Sequence, residues 1–154
     1  YFEEAARFAR EVRRLGYEGV LLGGDGWHGE RFLEIAGEDA GDAYFISHFI
    51  AQAPGRETRA FVSAFRERLG REPGPFAALG YDAGLVCLRA VPGSGRLDRK
   101  AFRKELAAVE GLEGATGEIA LDEAGNTLKD AIVVRVRDGA FRFEERLRFT
   151  PGLR

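Results

Sequence analysis

From the first residues onward, apolar positions follow a helical beat. Phe2, Ala5, Phe8, Val12 and Leu15 recur at three- and four-residue spacing, which predicts one helix ending near Gly16. Glu3 and Glu4 stand at its start and Arg10, Arg13 and Arg14 near its end, an arrangement that complements the helix dipole. The run Val20-Leu21-Leu22, stopped by Gly23-Gly24-Asp25-Gly26, then reads as a short, fully buried parallel strand. A second helix from Gly29 to Ile35 leads to a second strand from Ala43 to His48. The opening 48 residues are thus expected to be repeated α/β crossovers.

The middle of the chain keeps the helical period. Phe61, Phe65 and Leu69 mark one helix, and Phe76, Leu79, Ala83, Val86 and Ala90 a second. Phe102, Leu106 and Val109 mark a third, with Asp98 as its N-cap. Gly70 and Pro73 punctuate the first gap and Pro92-Gly93-Ser94-Gly95 the second. Beyond them the period changes to two. Glu118 to Leu121 alternates, Asp122 to Asn126 has turn chemistry, and Ala131 to Arg137 alternates again through Ile132, Val134 and Val136. Asp138-Gly139 then reverses the chain into a segment in which Phe141 and Phe143 alternate with Arg142 and Glu144, the strongest hairpin signal present.

Composition narrows the function. In 154 residues, 25 acidic side chains nearly cancel 23 basic ones, so no field is present that would hold nucleic acid or anionic lipid. The single cysteine, Cys87, excludes an intramolecular disulfide framework and a Cys-rich zinc site. No apolar run approaches the roughly 20 residues that cross a bilayer. The sequence has no methionine and starts at Tyr1 directly on a helical pattern, which reads as the middle of something longer.

The segment from Gly23 to Glu30 carries the most chemistry. It holds the one Trp, a His and two carboxylates just past a strand, where ligands sit in open α/β sheets. Asp25 could hold a cation or ammonium there and Trp27 could cover an apolar group; the alternative is a turn in which Asp25 satisfies nearby backbone N–H groups. His28 and Glu30 suggest a metal or acid-base site, but the one other histidine, His48, lacks partner spacing, so no metal is expected and His28 reads as a surface residue. Ser47, Ser63 and Ser94 lie in no nucleophile elbow, and Cys87 reads as a small buried hydrophobe on a helix face. Gly24, Gly26 and Gly29 have the letters of a dinucleotide fingerprint, yet Asp25 would crowd a pyrophosphate. No enzyme constellation and no cofactor site survive. Phe61 and Phe65 are expected in the core, whereas Phe76, after Pro73-Gly74-Pro75, could line a cleft.

Three segments go further: FVSAFRERLGREPGPF from Phe61 to Phe76, ALGYDA from Ala78 to Ala83, and GLEGATGEIALDEAGN from Gly111 to Asn126. With Gly23 to Trp27 and the closing VVRVRDGAF, they resemble the C-terminal part of the periplasmic substrate-binding proteins of branched-chain amino acid (Leu/Ile/Val) ABC transporters. The resemblance implies an α/β, type I periplasmic binding protein fold. In it, two Rossmann-like lobes with parallel sheets are joined by three crossovers and close on a ligand. It implies that residues 1–48 belong to the second lobe, 49–130 to the first, and 131–154 to the second again.

On that pattern Tyr1 and Asp25 face the ligand from the second lobe, Asp25 suiting an α-ammonium, and Phe76 contacts the ligand side chain from the first. The implied function is solute capture for an importer, with membrane permease subunits as partners and a periplasmic or extracellular location. The alternative is a cytoplasmic amide- or amino-acid-responsive sensor on the same fold. Well-known Leu/Ile/Val binders carry glutamate where this chain has Asp25, which leaves the ligand class open. Because such a chain would expose sheet edges and apolar faces, it is also expected to dimerise or swap with a neighbour.

Overall fold

The computed structural model describes residues 1–91 and 98–149. In chain order the elements are α1 (Phe2–Arg14), β1 (Leu21–Gly23), a 3-10 turn (Asp25–Trp27), α2 (Glu30–Ala36), a second 3-10 turn (Gly37–Ala40) and β2 (Ala43–Ser47). Helices α3 (Arg56–Leu69), α4 (Pro75–Arg89) and α5 (Arg99–Ala107) follow. Strands β3 (Leu112–Gly114), β4 (Gly117–Leu121), β5 (Thr127–Leu128), β6 (Ala131–Arg137) and β7 (Ala140–Leu147) complete the order. The predicted breaker at Pro92 to Gly95, Ser94 included, lies outside the described residues.

The chain forms two compact units. One comprises Tyr1–Gln52 and Ala131–Leu147, the other Ala53–Asp130 with the described residues from Arg148 on.

In the first unit a four-stranded sheet runs β1-β2-β6-β7. β1 and β2 are parallel, with Gly23 opposite Phe45, and α2 is their crossover. The β2–β6 and β6–β7 pairs are antiparallel. Asp138 and Gly139 both take positive φ, 52° and 66°, the signature of the tight turn that matches strand twist. Ile132, Val134 and Val136 are buried, as the alternation predicts, and Ala43, Phe45 and Ser47 of β2 point inward with the same period. The stretch Val20-Leu21-Leu22 departs from expectation. Only Leu21 is buried, because β1 is an edge strand of this sheet, and Leu22 is 76% exposed. In α1 the buried residues are Ala5, Ala6 and Ala9, while Phe8 and Leu15 face outward. Small side chains let α1 sit close on its neighbours; Phe2 already lies within about 3 Å of where a Cβ on Gly29 would stand.

In the second unit, β3, β4 and β5 form an antiparallel sheet beside α3, α4 and α5. Asp98 caps α5, its Oδ1 accepting from the backbone N–H groups of Lys100 and Ala101 at 3.0 and 2.9 Å. The GATG segment joins β3 to β4, and Asp82 of α4 holds it. One carboxylate oxygen accepts from Ala115 N–H at 2.6 Å. The other accepts from Thr116 N–H at 2.9 Å and from the Thr116 hydroxyl. Thr58 of α3 donates to the Ala115 carbonyl at 2.9 Å, and Lys129 donates to the Thr116 hydroxyl. A Cβ on Gly114 would stand 2.5 Å from an Asp82 carboxylate oxygen, so glycine there lets the carboxylate in. This inward face of α4, carried by Ala78 and Asp82, turns Cys87 outward, contrary to the expected burial.

Candidate functional site

The turn after β1 is built around Trp27. Its backbone N–H donates to the Gly24 carbonyl at 3.1 Å, and its ring lies over Gly23 so closely that a Cβ there would meet it at 2.3 Å. It stacks on Phe32 of α2 with ring centroids 5.4 Å apart. Trp27 is therefore a packing wedge of the first unit.

His28, expected at the surface, is instead half-buried against aromatic rings. Its ring meets Phe141 edge-on at 4.9 Å and Phe45 at 5.5 Å. Its Nδ1 is 2.7 Å from the Ser47 hydroxyl, which itself donates to the Phe49 carbonyl, so Nδ1 carries the proton given to Ser47. Burial pushes the imidazole down from 6.5 to about 4, and the ring is neutral at physiological pH. The signal for this was the third inward position of β2. A serine there needs a polar partner, and the His28 ring supplies it.

With Trp27 and His28 turned inward, Asp25 is left facing out. Its carboxylate sits two residues past the carboxyl end of β1, and an oxygen lies 3.4 Å from Nε2 of His48, the residue directly after β2. Asp25 is 66% and His48 41% exposed, so the pair is open to water. Tyr1, 86% exposed, adjoins the same turn: a Cβ on Gly26 would stand 3.4 Å from its ring. Tyr1, Asp25 and His48 thus gather at one place in the first unit. An outward carboxylate beside an aromatic ring can take a cationic head group. In the second unit, Phe76 stands at the start of α4, 81% exposed, while Phe61 is buried against Phe65 and Tyr81. Among the described residues, no three His, Cys, Asp or Glu side chains come together to hold a metal.

Residues 1–140 match the family model of periplasmic binding proteins. The chain belongs to that family. It is similar to the leucine binding protein LivK of Thermotoga maritima, with 34% identity and a TM-score of 0.88 over 96% of this chain and 43% of that one. It is also similar to LivJ of Streptococcus pneumoniae, the branched-chain amino acid transporter substrate binding protein solved in complex with isoleucine. There the identity is 31% and the TM-score 0.82, over 97% of this chain and 42% of that one. An ABC transporter substrate-binding protein from Desulfitobacterium hafniense, in complex with Leu, matches at 26% identity and a TM-score of 0.77, over 91% of this chain and 40% of that one. No curated protein matches the chain. This periplasmic binding protein has the type I fold, and its chain spans less than half the length of these solved relatives. Family and relatives are binding proteins, not enzymes. Among the described residues no helix is long and apolar enough to cross a membrane.

Proposed function

We propose that this periplasmic binding protein is the solute-binding component of an ABC importer. It captures a small amino acid, branched-chain by preference, between two lobes, and delivers it to the permease from the periplasm or the extracellular space. Residues 1–48 and 131–154 belong to the second lobe and 49–130 to the first. Asp25 receives the ligand's ammonium, Tyr1 lies against its backbone, and Phe76 meets its side chain from the other lobe. The observation that carries the reading is the outward Asp25 carboxylate beside Tyr1 at the carboxyl end of β1, in a chain whose similar structures include leucine- and isoleucine-bound receptors. The protein acts without a cofactor and without catalysis.

Calorimetry of the intact receptor with leucine tests this. Binding is expected, and Asp25→Asn should weaken it by about 1.5–3 kcal/mol through loss of a charge-assisted bond. Unchanged affinity in the variant means the ammonium is held elsewhere. The 154-residue chain by itself is further proposed to self-associate. Support comes from exposed Leu22 and Leu88 and from an open apolar groove of about 500 Å³ among Phe61, Phe65, Leu69 and Tyr81. Sedimentation showing a monomer would refute that point.

A further inference from the structure

His48 is not among the residues that the resemblance places on the ligand, yet it reaches Asp25. Its position follows from topology. β1 and β2 are parallel neighbours, so the residues leaving their carboxyl ends emerge on the same side, and Asp25 and His48 are those residues. The imidazole Nε2 lies 3.4 Å from the carboxylate oxygen. Ser47, one residue earlier, is engaged with His28, whose ring is neutral, and among the described residues His48 meets the Asp25 carboxylate. Both members remain solvent-accessible, unlike a structural ion pair sealed in a core.

We propose that His48 is a specificity-determining partner of Asp25. It occupies the carboxylate until a ligand bearing an ammonium displaces it. The inference rests on the reading that Asp25 faces the ligand. One consequence follows. A neutral or anionic head group gains nothing from displacing His48, so the pair selects cationic ones. His48 makes the site a close pair instead of a bare charge, and the ligand must do better than the imidazole does.

The test follows the imidazole signals and the Asp25 carboxyl carbon of the intact receptor by NMR. L-leucine is titrated to millimolar concentration, with 4-methylpentanoate, its analogue without the amine, as control. Expected are shifts of both Asp25 and His48 with leucine and of neither with the analogue. Leucine binding should tighten on the order of fivefold in His48→Ala, because the carboxylate is then free. If Asp25 responds to leucine while His48 does not, and His48→Ala leaves the affinity unchanged, the inference is overturned and the site reading stands. If neither Asp25 nor His48 responds, the site reading falls and the inference with it.

Discussion

Each unit hangs on one polar anchor that joins a turn to its core, and the two anchors are of opposite kinds. In the first, His28 gives one neutral hydrogen bond to Ser47 from within a group of aromatic rings. In the second, the Asp82 carboxylate gathers two backbone N–H groups and a hydroxyl from Ala115 and Thr116. The difference follows from what surrounds them. The largest fully buried side chains among the described residues, Phe32, Phe45, Phe49, Ile132, Val134 and Val136, all lie in the first unit. An apolar core of that size fixes its turns by packing, and one hydrogen bond orients the ring. The second unit buries mostly small residues, Ala53, Val62, Ala78, Ala90, Val109 and Ala115, so its loop is held by directional bonds to a charge.

The largest effect that would break this contrast is removal of the charged anchor. Asp82→Ala leaves two buried N–H groups and a hydroxyl without their acceptor, and should cost the second unit about 4 kcal/mol. Asp82→Asn should cost less, since the amide oxygen still accepts. Denaturant unfolding followed by signals from the second unit measures both. A loss below about 1 kcal/mol for Asp82→Ala would mean that packing holds the GATG turn after all.

Acid attacks the other anchor. The folded-state value of His28 is lowered, so the unfolded chain binds the proton first and stability falls as pH drops from 6.5 to about 4. The full loss is on the order of 3 kcal/mol, complete below about pH 4 and absent above neutrality. Urea unfolding across that window, read by Trp27 fluorescence, should show the slope, and His28→Phe should flatten it. An unchanged slope in His28→Phe would assign the acid sensitivity to other groups.

Each anchor region also contains a glycine that a methyl group would invade. Gly23→Ala drives a carbon into the Trp27 ring, and Gly114→Ala drives one into the Asp82 carboxylate. Each should destabilise by about 2 kcal/mol. Gly114→Ala should also lose its effect in an Asp82→Ala background, because the crowding partner is gone. Additive losses there would separate the two positions.

Much of this architecture was legible because local chemistry agreed with the fold. Asp138-Gly139 announces its turn, Asp98 its cap, and the alternation of Ile132, Val134 and Val136 its buried face. What the sequence concealed was which helix face turns inward. Apolar counting favours Phe8 and Leu15 in α1, but Ala5, Ala6 and Ala9 win because small residues permit a closer approach. In α4, Asp82 outweighs the apolar positions because its carboxylate has a turn to hold. Asp25 could be picked out as a carboxylate past a strand. Its neighbour His48 could not, and the burial of His28 was signalled only by the inward Ser47, since both depend on how β1, β2, β6 and β7 share one sheet.

The smallest expected effect sharpens the comparison at Phe76. Its ring is 81% exposed at the start of α4, whereas Phe61 in the same unit is buried and touches Tyr81 at a centroid distance of 4.9 Å. A ring so exposed contributes little to holding that unit together. Phe76→Ala should therefore change unfolding stability by no more than about 0.5 kcal/mol, with Phe61→Ala as the destabilising control. The proposed ligand contact is what covers that ring. Leucine affinity of the intact receptor should then fall in Phe76→Ala while its melting curve stays put. If stability drops as it does for Phe61→Ala, Phe76 belongs to the core and its place in the ligand site is lost.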